Sequence, residues 1–217
     1  MTLPYRNRRE AGEVLARLVQ ELPVRESVVL GLPRGGVPVA FEVARAIDAP
    51  LDVFIVRKLG VPGHEELAMG AIASGEVRVF NQDIVNSMRI SPAAIDVVVR
   101  REIEELKRRE FLYRDGRAPV DLRGKRAILV DDGLATGASM RAAVAALRAL
   151  GPTEIVVAVP VAAVDACEDF RRDVDVCICA ATPEPFYGVG RWYQDFAPTS
   201  DTEVRDLLAL TPEEAHP

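Results

Sequence analysis

Residues 127–140, AILVDDGLATGASM, constrain the chain more than any other stretch. Ala127, Ile128, Leu129 and Val130 form an unbroken apolar run of the kind that a strand buried on both faces needs. The run stops at two carboxylates, Asp131 and Asp132. Small residues dominate positions 133–139, and a helical pattern follows over 140–150. A loop at a helix N-terminus presents backbone N–H groups where the helix dipole favours an anion. Thr136 and Ser139 add hydroxyl donors. The two aspartates can accept hydrogen bonds from sugar hydroxyls or help to hold a hydrated cation. A phosphorylated sugar would use every one of these parts.

The same strand pattern recurs at 27–32, 51–56, 153–161 and 174–180, with helical patterns at 8–21, from near Pro38, and at 164–173. Strands alternating with helices predict an α/β fold with a doubly wound parallel sheet and right-handed crossovers. A long amphipathic helix is expected over 92–113, with Ser91 as N-cap and Pro92 in the first turn. A hairpin is expected from 68–73 and 77–80 around Ser74-Gly75. At 217 residues the chain suits one α/β domain with an appendage. We divide it into a core, 1–180, with an N-terminal helix and the inserted helix 92–113, and a C-terminal part, 181–217. That part is opened by aromatics and closed by a helix over 201–210, whose capping box is Ser200-Asp201-Thr202-Glu203.

Other strand ends supply further chemistry. Pro33-Arg34-Gly35-Gly36 forms a second strand–loop–helix junction, in which two glycines allow close backbone approach and Arg34 offers a donor fork suited to phosphate. A plain turn with a surface arginine accounts for it equally well. Arg57-Lys58 closes the 51–56 strand and points toward the crevice where open α/β sheets bind ligands, unless the two side chains merely snorkel. Residues 59–66, LGVPGHEE, read as an exposed mobile loop. Five of the twelve aromatics, Phe186, Tyr187, Trp192, Tyr193 and Phe196, fall within eleven residues, which fits either a packed cap or a lid over a flat heterocycle. Arg6, Arg8 and Arg9 are read as a solvated helix entry. The formal charge of −6 argues against a nucleic-acid or anionic-membrane binder. There is no membrane-length apolar stretch and no signal-peptide core, so a cytoplasmic protein is expected. Cys167, Cys177 and Cys179 are expected as buried free thiols, not as a disulfide or metal site. Two histidines leave little for zinc.

ILVDDGLATGAS resembles the phosphoribosyl-pyrophosphate (PRPP) signature of type I phosphoribosyltransferases. From about Tyr5 to Leu210 the chain also resembles bacterial phosphoribosyltransferase-domain proteins, with PRGG, RKLG and VG-W-Y-DF segments in the expected order. The resemblance implies that Gly133, Leu134, Ala135, Thr136, Gly137, Ala138 and Ser139 cradle the 5-phosphate. Asp131 and Asp132 would take the ribose hydroxyls, with Mg²⁺ nearby and held mainly through water. Arg34, Gly35 and Gly36 would form the pyrophosphate loop, with a non-proline cis peptide at Pro33–Arg34 or its neighbour. Lys58, with Arg57, would neutralise pyrophosphate, and 59–66 would fold over the site. The aromatic segment would be a hood that holds the acceptor through Phe186, Val189 and Trp192. The implied catalytic set is Asp131, Asp132, Arg34 and Lys58, with a small nitrogenous acceptor as partner and a homodimer common among similar proteins.

Departures from the family pattern narrow the acceptor. The 6-oxopurine enzymes carry an acid where this chain has Ala135, and a lysine that 160–165, PVAAVD, lacks. Hypoxanthine and guanine are therefore disfavoured. A non-catalytic PRPP- or nucleotide-binding regulatory protein on the same fold is the alternative. A haloacid-dehalogenase-like phosphatase ranks last, because Gly133 stands where its second acid belongs. A P-loop kinase fails for want of the G-x-x-x-x-G-K-[ST] motif.

Overall fold

The computed structural model describes residues 3–23 and 25–210; of the C-terminal part expected at 181–217, residues 211–217 lie outside the described residues. The centre is a parallel sheet of five strands in the order β2-β1-β6-β7-β8. These are β1 Ser27–Gly31, β2 Leu51–Val53, β6 Arg126–Val130, β7 Glu154–Val161 and β8 Val176–Ala181. Every residue of β1, β2 and β6 is buried. That is why their sequences read as continuous apolar runs and not as alternating ones. Alternation still decides the packing partner. Val29, Ile128, Val156 and Ala158 face a core built with α1 Arg8–Val19, α2 Gly36–Ile47, α4 Pro92–Arg114 and α7 Asp201–Ala209. Val28, Leu30, Leu129 and Val157 face the opposite core with α5 Ala138–Ala149 and α6 Val164–Asp173.

Helix starts follow the caps written in the sequence. Asn7, Ser91 and Ser200 side chains accept the N–H groups of Glu10, Ala94 and Glu203. A short α3, Gln82–Ser87, is an addition to the predicted elements; Asn81 caps it by accepting from Ile84.

The expected strand 51–56 is two strands in two sheets. After β2 the chain leaves the parallel sheet and enters an antiparallel one, β3 Val56–Val61, β4 His64–Ala73 and β5 Val77–Phe80, in the order β3-β4-β5. Phe54 and Ile55 make the transfer, both 2% exposed. Phe54 packs into one core and Ile55 into the other, so the apolar run never breaks in the sequence although the sheet does. Phe54 donates to the Gly31 carbonyl, whereas the next N–H goes to Ser74 Oγ in the second sheet. Residues 59–66, expected as a loop, are a β3–β4 hairpin with Gly63 in its turn at φ +77°. The glycines and proline that suggested a loop mark only its turn and a shifted register. The β4–β5 hairpin around Ser74-Gly75 forms as expected.

The cysteine expectation is corrected. Cys167 and Cys179 are joined in a disulfide, and Cys177 is the free thiol. Cys177 and Cys179 share the face of β8 that α6 covers, and α6 brings Cys167 down onto it at 1% exposure. The Sγ of Cys177 lies 3.8 Å from that of Cys179. Spacing along the chain revealed the pair on the strand, but not the helix that packs a third thiol against it. Among the described residues, no helix is long and apolar enough to cross a membrane.

The long helix α4 is anchored to the sheet by charge. Arg114 Nε donates to Asp52 Oδ1 at 2.8 Å, and a second guanidinium nitrogen donates to the Val53 carbonyl at 3.0 Å. Both side chains are 7% exposed. Removing one partner of such a pair strands the other charge in the interior. Arg114→Met is expected to cost roughly 3–5 kcal/mol in urea denaturation, whereas Arg123→Ala, at an exposed ion pair with Asp121, is expected to leave the urea midpoint nearly unchanged.

Candidate functional site

The acidic pair stands at the carboxyl end of β6. Asp131 Oδ1 accepts the N–H of Asp132 at 2.8 Å, which turns the chain sharply off the strand. Leu134 then bonds back to β7: its N–H donates to the Val161 carbonyl, and its own carbonyl accepts from Ala163. Leu134 and Gly137 are buried, while Ala135, Thr136, Ala138 and Ser139 are exposed. Gly137 sits at φ +71° directly over Phe170, and a Cβ there would lie 2.6 Å from the ring. The loop is thus pinned at Leu134 and Gly137 and open between and beyond them, and α5 starts at its end.

The 33–36 loop packs against this turn. The Pro33–Arg34 peptide is cis, as the resemblance implied. A Cβ on Gly36 would lie 2.7 Å from the Val130 carbonyl oxygen, and one on Gly35 only 2.1 Å from Asp132 Oδ2. The two glycines therefore let the end of β1 meet the end of β6 with no side chain between them. In the strand order β2-β1-β6-β7-β8 the chain winds in opposite directions from these two strands, so their ends flank the crevice where open α/β sheets take ligands.

The basic residues divide. Arg34 is about half exposed, with one guanidinium nitrogen 3.8 Å from Asp201 Oδ1 at the start of α7. Tyr113 of α4 donates to the same Asp201 oxygen. Lys58 is also half exposed, and its Nζ donates to the Glu66 carbonyl across the hairpin at 3.2 Å. Arg57, its neighbour on β3, has Glu102 of α4 as partner at 2.6 Å. Successive strand residues face opposite ways, so Arg57 is held against α4 while Lys58 turns across the hairpin, and Arg34 faces Asp201 at the start of α7.

Arg8 is corrected outright. It is no solvated helix entry: its side chain is 12% exposed, and its Nε donates to Asp132 Oδ2 at 2.8 Å. A second nitrogen donates to the Ala197 carbonyl, and the guanidinium lies 4.0 Å from the centre of the Phe196 ring. The N-terminal segment is carried there by pairing with the aromatic segment. Tyr5 N–H donates to the Trp192 carbonyl, and the N–H groups of Gln194 and Asp195 donate to the carbonyls of Tyr5 and Arg6. The sequence signal was Tyr5, an aromatic before the helix that belonged to no predicted element. Its ring is 1% exposed, and its hydroxyl donates to the Pro160 carbonyl.

Residues 6–186 match the phosphoribosyl transferase domain family. The chain belongs to that family. It is 48% identical over 204 residues to a Mycobacterium tuberculosis protein named "Putative phosphoribosyl transferase Rv0571c", covering 94% of this chain and 46% of that one. The chain thus spans about half the length of the curated relatives it matches first. Uracil phosphoribosyltransferase from Lactobacillus delbrueckii is 34% identical over 147 residues, covering 64% of this chain and 68% of that protein. The crystal structure of TT1426 from Thermus thermophilus superposes with a TM-score of 0.86 at 39% identity, covering 97% of this chain and all of that one.

On this phosphoribosyl transferase domain the aromatic segment forms a roof that touches the turn after β6. Val189, at the start of a 3-10 turn, abuts Gly133, where a Cβ would meet it at 2.5 Å. Tyr193 donates its hydroxyl to the Asp132 carbonyl and packs between Tyr5 and Phe196, ring centres at 5.7 and 5.0 Å. Phe186 stacks near Trp192 at 6.5 Å. Trp192 Nε1 is buried without a hydrogen-bond partner among the described residues. Burial pushes the Asp131 carboxyl well above the ordinary carboxylate range, and the Asp132 charge pushes it further; burial also raises Asp132, against which Arg8 pulls down. Burial, with Glu10 nearby, raises the Tyr5 phenol to about 12. Two hard carboxylates drawn upward by burial suit a hydrated divalent cation, not a soft metal. Gly36→Ala drives a methyl into main chain and not into a yielding side chain. It is expected to cost about 1–3 kcal/mol of stability, measured by thermal or urea unfolding.

Proposed function

We propose that the protein transfers the 5-phosphoribosyl group from PRPP to a nitrogenous base or similar acceptor, with release of pyrophosphate and dependence on Mg²⁺. One observation carries this reading. The glycine loop 33–36, the acidic pair and the small-residue loop 133–139 meet side by side at the topological switch point between β1 and β6. In this reading the exposed backbone of 133–139, with the Thr136 and Ser139 hydroxyls, binds the 5-phosphate. Asp131 and Asp132 accept hydrogen bonds from the ribose hydroxyls and hold the cation mainly through water. Arg34, Gly35 and Gly36 bind pyrophosphate, with Lys58 and Arg57 as further cations. The acceptor lies under Phe186, Val189 and Trp192, where the unpartnered indole N–H is a donor without an acceptor among the described residues. The core, 1–180, thus carries PRPP and 181–217 the hood. A cytoplasmic location and a homodimer go with the same reading.

The chemistry asks for little covalent work. Carbon 1 of the ribose loses pyrophosphate through an oxocarbenium-like state, and a nitrogen nucleophile adds with inversion. Arg34 and Lys58 stabilise the charge that gathers on the departing pyrophosphate. Mg²⁺, when bound, adds charge neutralisation at the same leaving group. Hood and hairpin exclude water, which would otherwise compete as nucleophile. Arg8 keeps the Asp132 carboxylate fixed while Tyr193 fixes its carbonyl. The absence of an acid at Ala135 speaks against a 6-oxopurine acceptor, and the uracil enzyme among the relatives puts pyrimidines on the list to be tried.

The deciding experiment measures pyrophosphate release from PRPP and Mg²⁺ with a panel of pyrimidine, purine and other nitrogenous acceptors. Turnover is expected with at least one acceptor, and Asp131→Asn/Asp132→Asn is expected to abolish it and to weaken PRPP binding. Tight PRPP binding with no turnover on any acceptor would point to the regulatory alternative. PRPP binding that is indifferent to the double substitution would remove the site assignment. A charge-assisted hydrogen bond contributes about 1.5–3 kcal/mol, so Arg8→Ala is expected to raise the KM for PRPP by about tenfold or more, with Arg8→Lys partly restoring it. An unchanged KM in Arg8→Ala would reduce Arg8 to a packing residue.

A further inference from the structure

All three cysteines of the chain converge under the 133–139 loop. Their sulfur atoms lie within 4.8 Å of one another, and Cys167 and Cys179 are bonded. The helix that supplies Cys167 is the brace of that loop. At its start, Ala163 donates to the Leu134 carbonyl, and the Cys167 N–H donates to the Ala163 carbonyl. One turn on, Phe170 fills the space against Gly137. Asp169 pairs with Arg141 of α5 at 3.5 Å, while Arg141 donates to the Thr136 carbonyl and lies 5.2 Å over the Phe170 ring. Leu134, Thr136 and Gly137 are thus each positioned by α6, directly or through Arg141. Beyond the short main-chain connection at 174–175, the disulfide cross-links the first half of α6 to the middle of β8, the edge strand of the parallel sheet.

We propose that the Cys167–Cys179 bond is a thiol–disulfide exchange site, reducible by a dithiol, whose state sets how firmly α6 holds the 133–139 loop. In the exchange a dithiol reductant gives up two electrons and two protons and closes its own disulfide. The Cys167–Cys179 bond breaks to two thiols. Cys179 is the half-buried partner, whereas Cys167 is 1% exposed, so exchange is assigned to the Cys179 side of the bond. Cys177 is no internal reductant, because burial raises its thiol to about 11 against the pull of Arg171. Disulfides are rare in reducing compartments and, where they do form, are usually transient and redox-sensing. On reduction α6 keeps its packing and its main-chain link to β8 but loses the cross-link one turn from Ala163, and the loop loses stiffness with it. The ligand that feels this is phosphate-bearing, a point that rests on the function proposed above; the tether does not.

The test compares oxidised and dithiol-reduced full-length protein. Alkylation under non-reducing denaturation, read by mass spectrometry, is expected to label Cys177 alone before reduction and all three cysteines after it. Amide hydrogen exchange at Leu134 and Ala163 is expected to quicken on reduction, and PRPP affinity to fall by about five- to tenfold, within the usual range of coupling between sites. Cys179→Ser and Cys167→Ser should reproduce the reduced state without reductant, and Cys177→Ser should behave as the oxidised wild type. Three labelled thiols in air-oxidised protein would overturn the proposal, as would equal loop exchange in both states. Redox-dependent loop exchange with no PRPP binding in either state would uphold the tether and overturn the assignment of its ligand.

Discussion

Asp131 and Asp132 end a strand whose five residues are all buried, so two adjacent carboxylates are delivered to the dry edge of a sheet. Burial and mutual repulsion both disfavour their charge. The structure around them relieves it from several sides. Asp131 accepts the next backbone N–H, Arg8 meets Asp132, Tyr193 occupies its carbonyl, and Gly35 withholds a side chain where one would collide. The hood, the N-terminal segment and the 33–36 loop are all arranged around this one charge. Remove the pair, and Arg8 loses its carboxylate partner there and keeps the Ala197 carbonyl and the Phe196 ring.

A second balance of charge sits a few residues away and runs the other way. Arg34 faces Asp201 of the last helix, whose carboxylate also takes the Tyr113 hydroxyl. Arg57 is engaged by Glu102 of the same long helix that carries Tyr113. The helix α4, inserted between the small sheet and β6, therefore holds Arg57 directly and Arg34 through Asp201 of α7. Its own anchor is the buried Arg114–Asp52 pair. Fold stability and the aim of the basic side chains depend on one element.

What the sequence made legible was local. The strand–acid pair–loop–helix run, the caps at Ser91 and Ser200, and the close-approach glycines all act between neighbours in the chain, and each appears where its residues predict. What stayed hidden was non-local. Phe54 and Ile55 look like one strand because both are apolar; only the existence of two cores separates them. Arg8 looked like a solvated helix entry because its partner lies 124 residues onward. The cysteines looked free because the sequence does not say which face of β8 a helix will cover. The hairpin 56–73 hid behind Pro62 and Gly63 at its tip and behind Gly60, where the register shifts within the ladder.

The pairing of Tyr5 with the segment around Tyr193 has a consequence for the order of assembly. Arg8 reaches Ala197 across 189 residues of chain. The parallel sheet, the helices α1 to α6 and both loops are complete in sequence before the strip that locks Arg8 in place has been made. During synthesis, therefore, the acidic pair is exposed to its own repulsion until nearly the whole described chain is present, and closing the roof is what ends that exposure. The hood is a keystone: it goes in after the whole sheet, with α7 alone among the described elements still to follow, and only then is the arch beneath it relieved of its load.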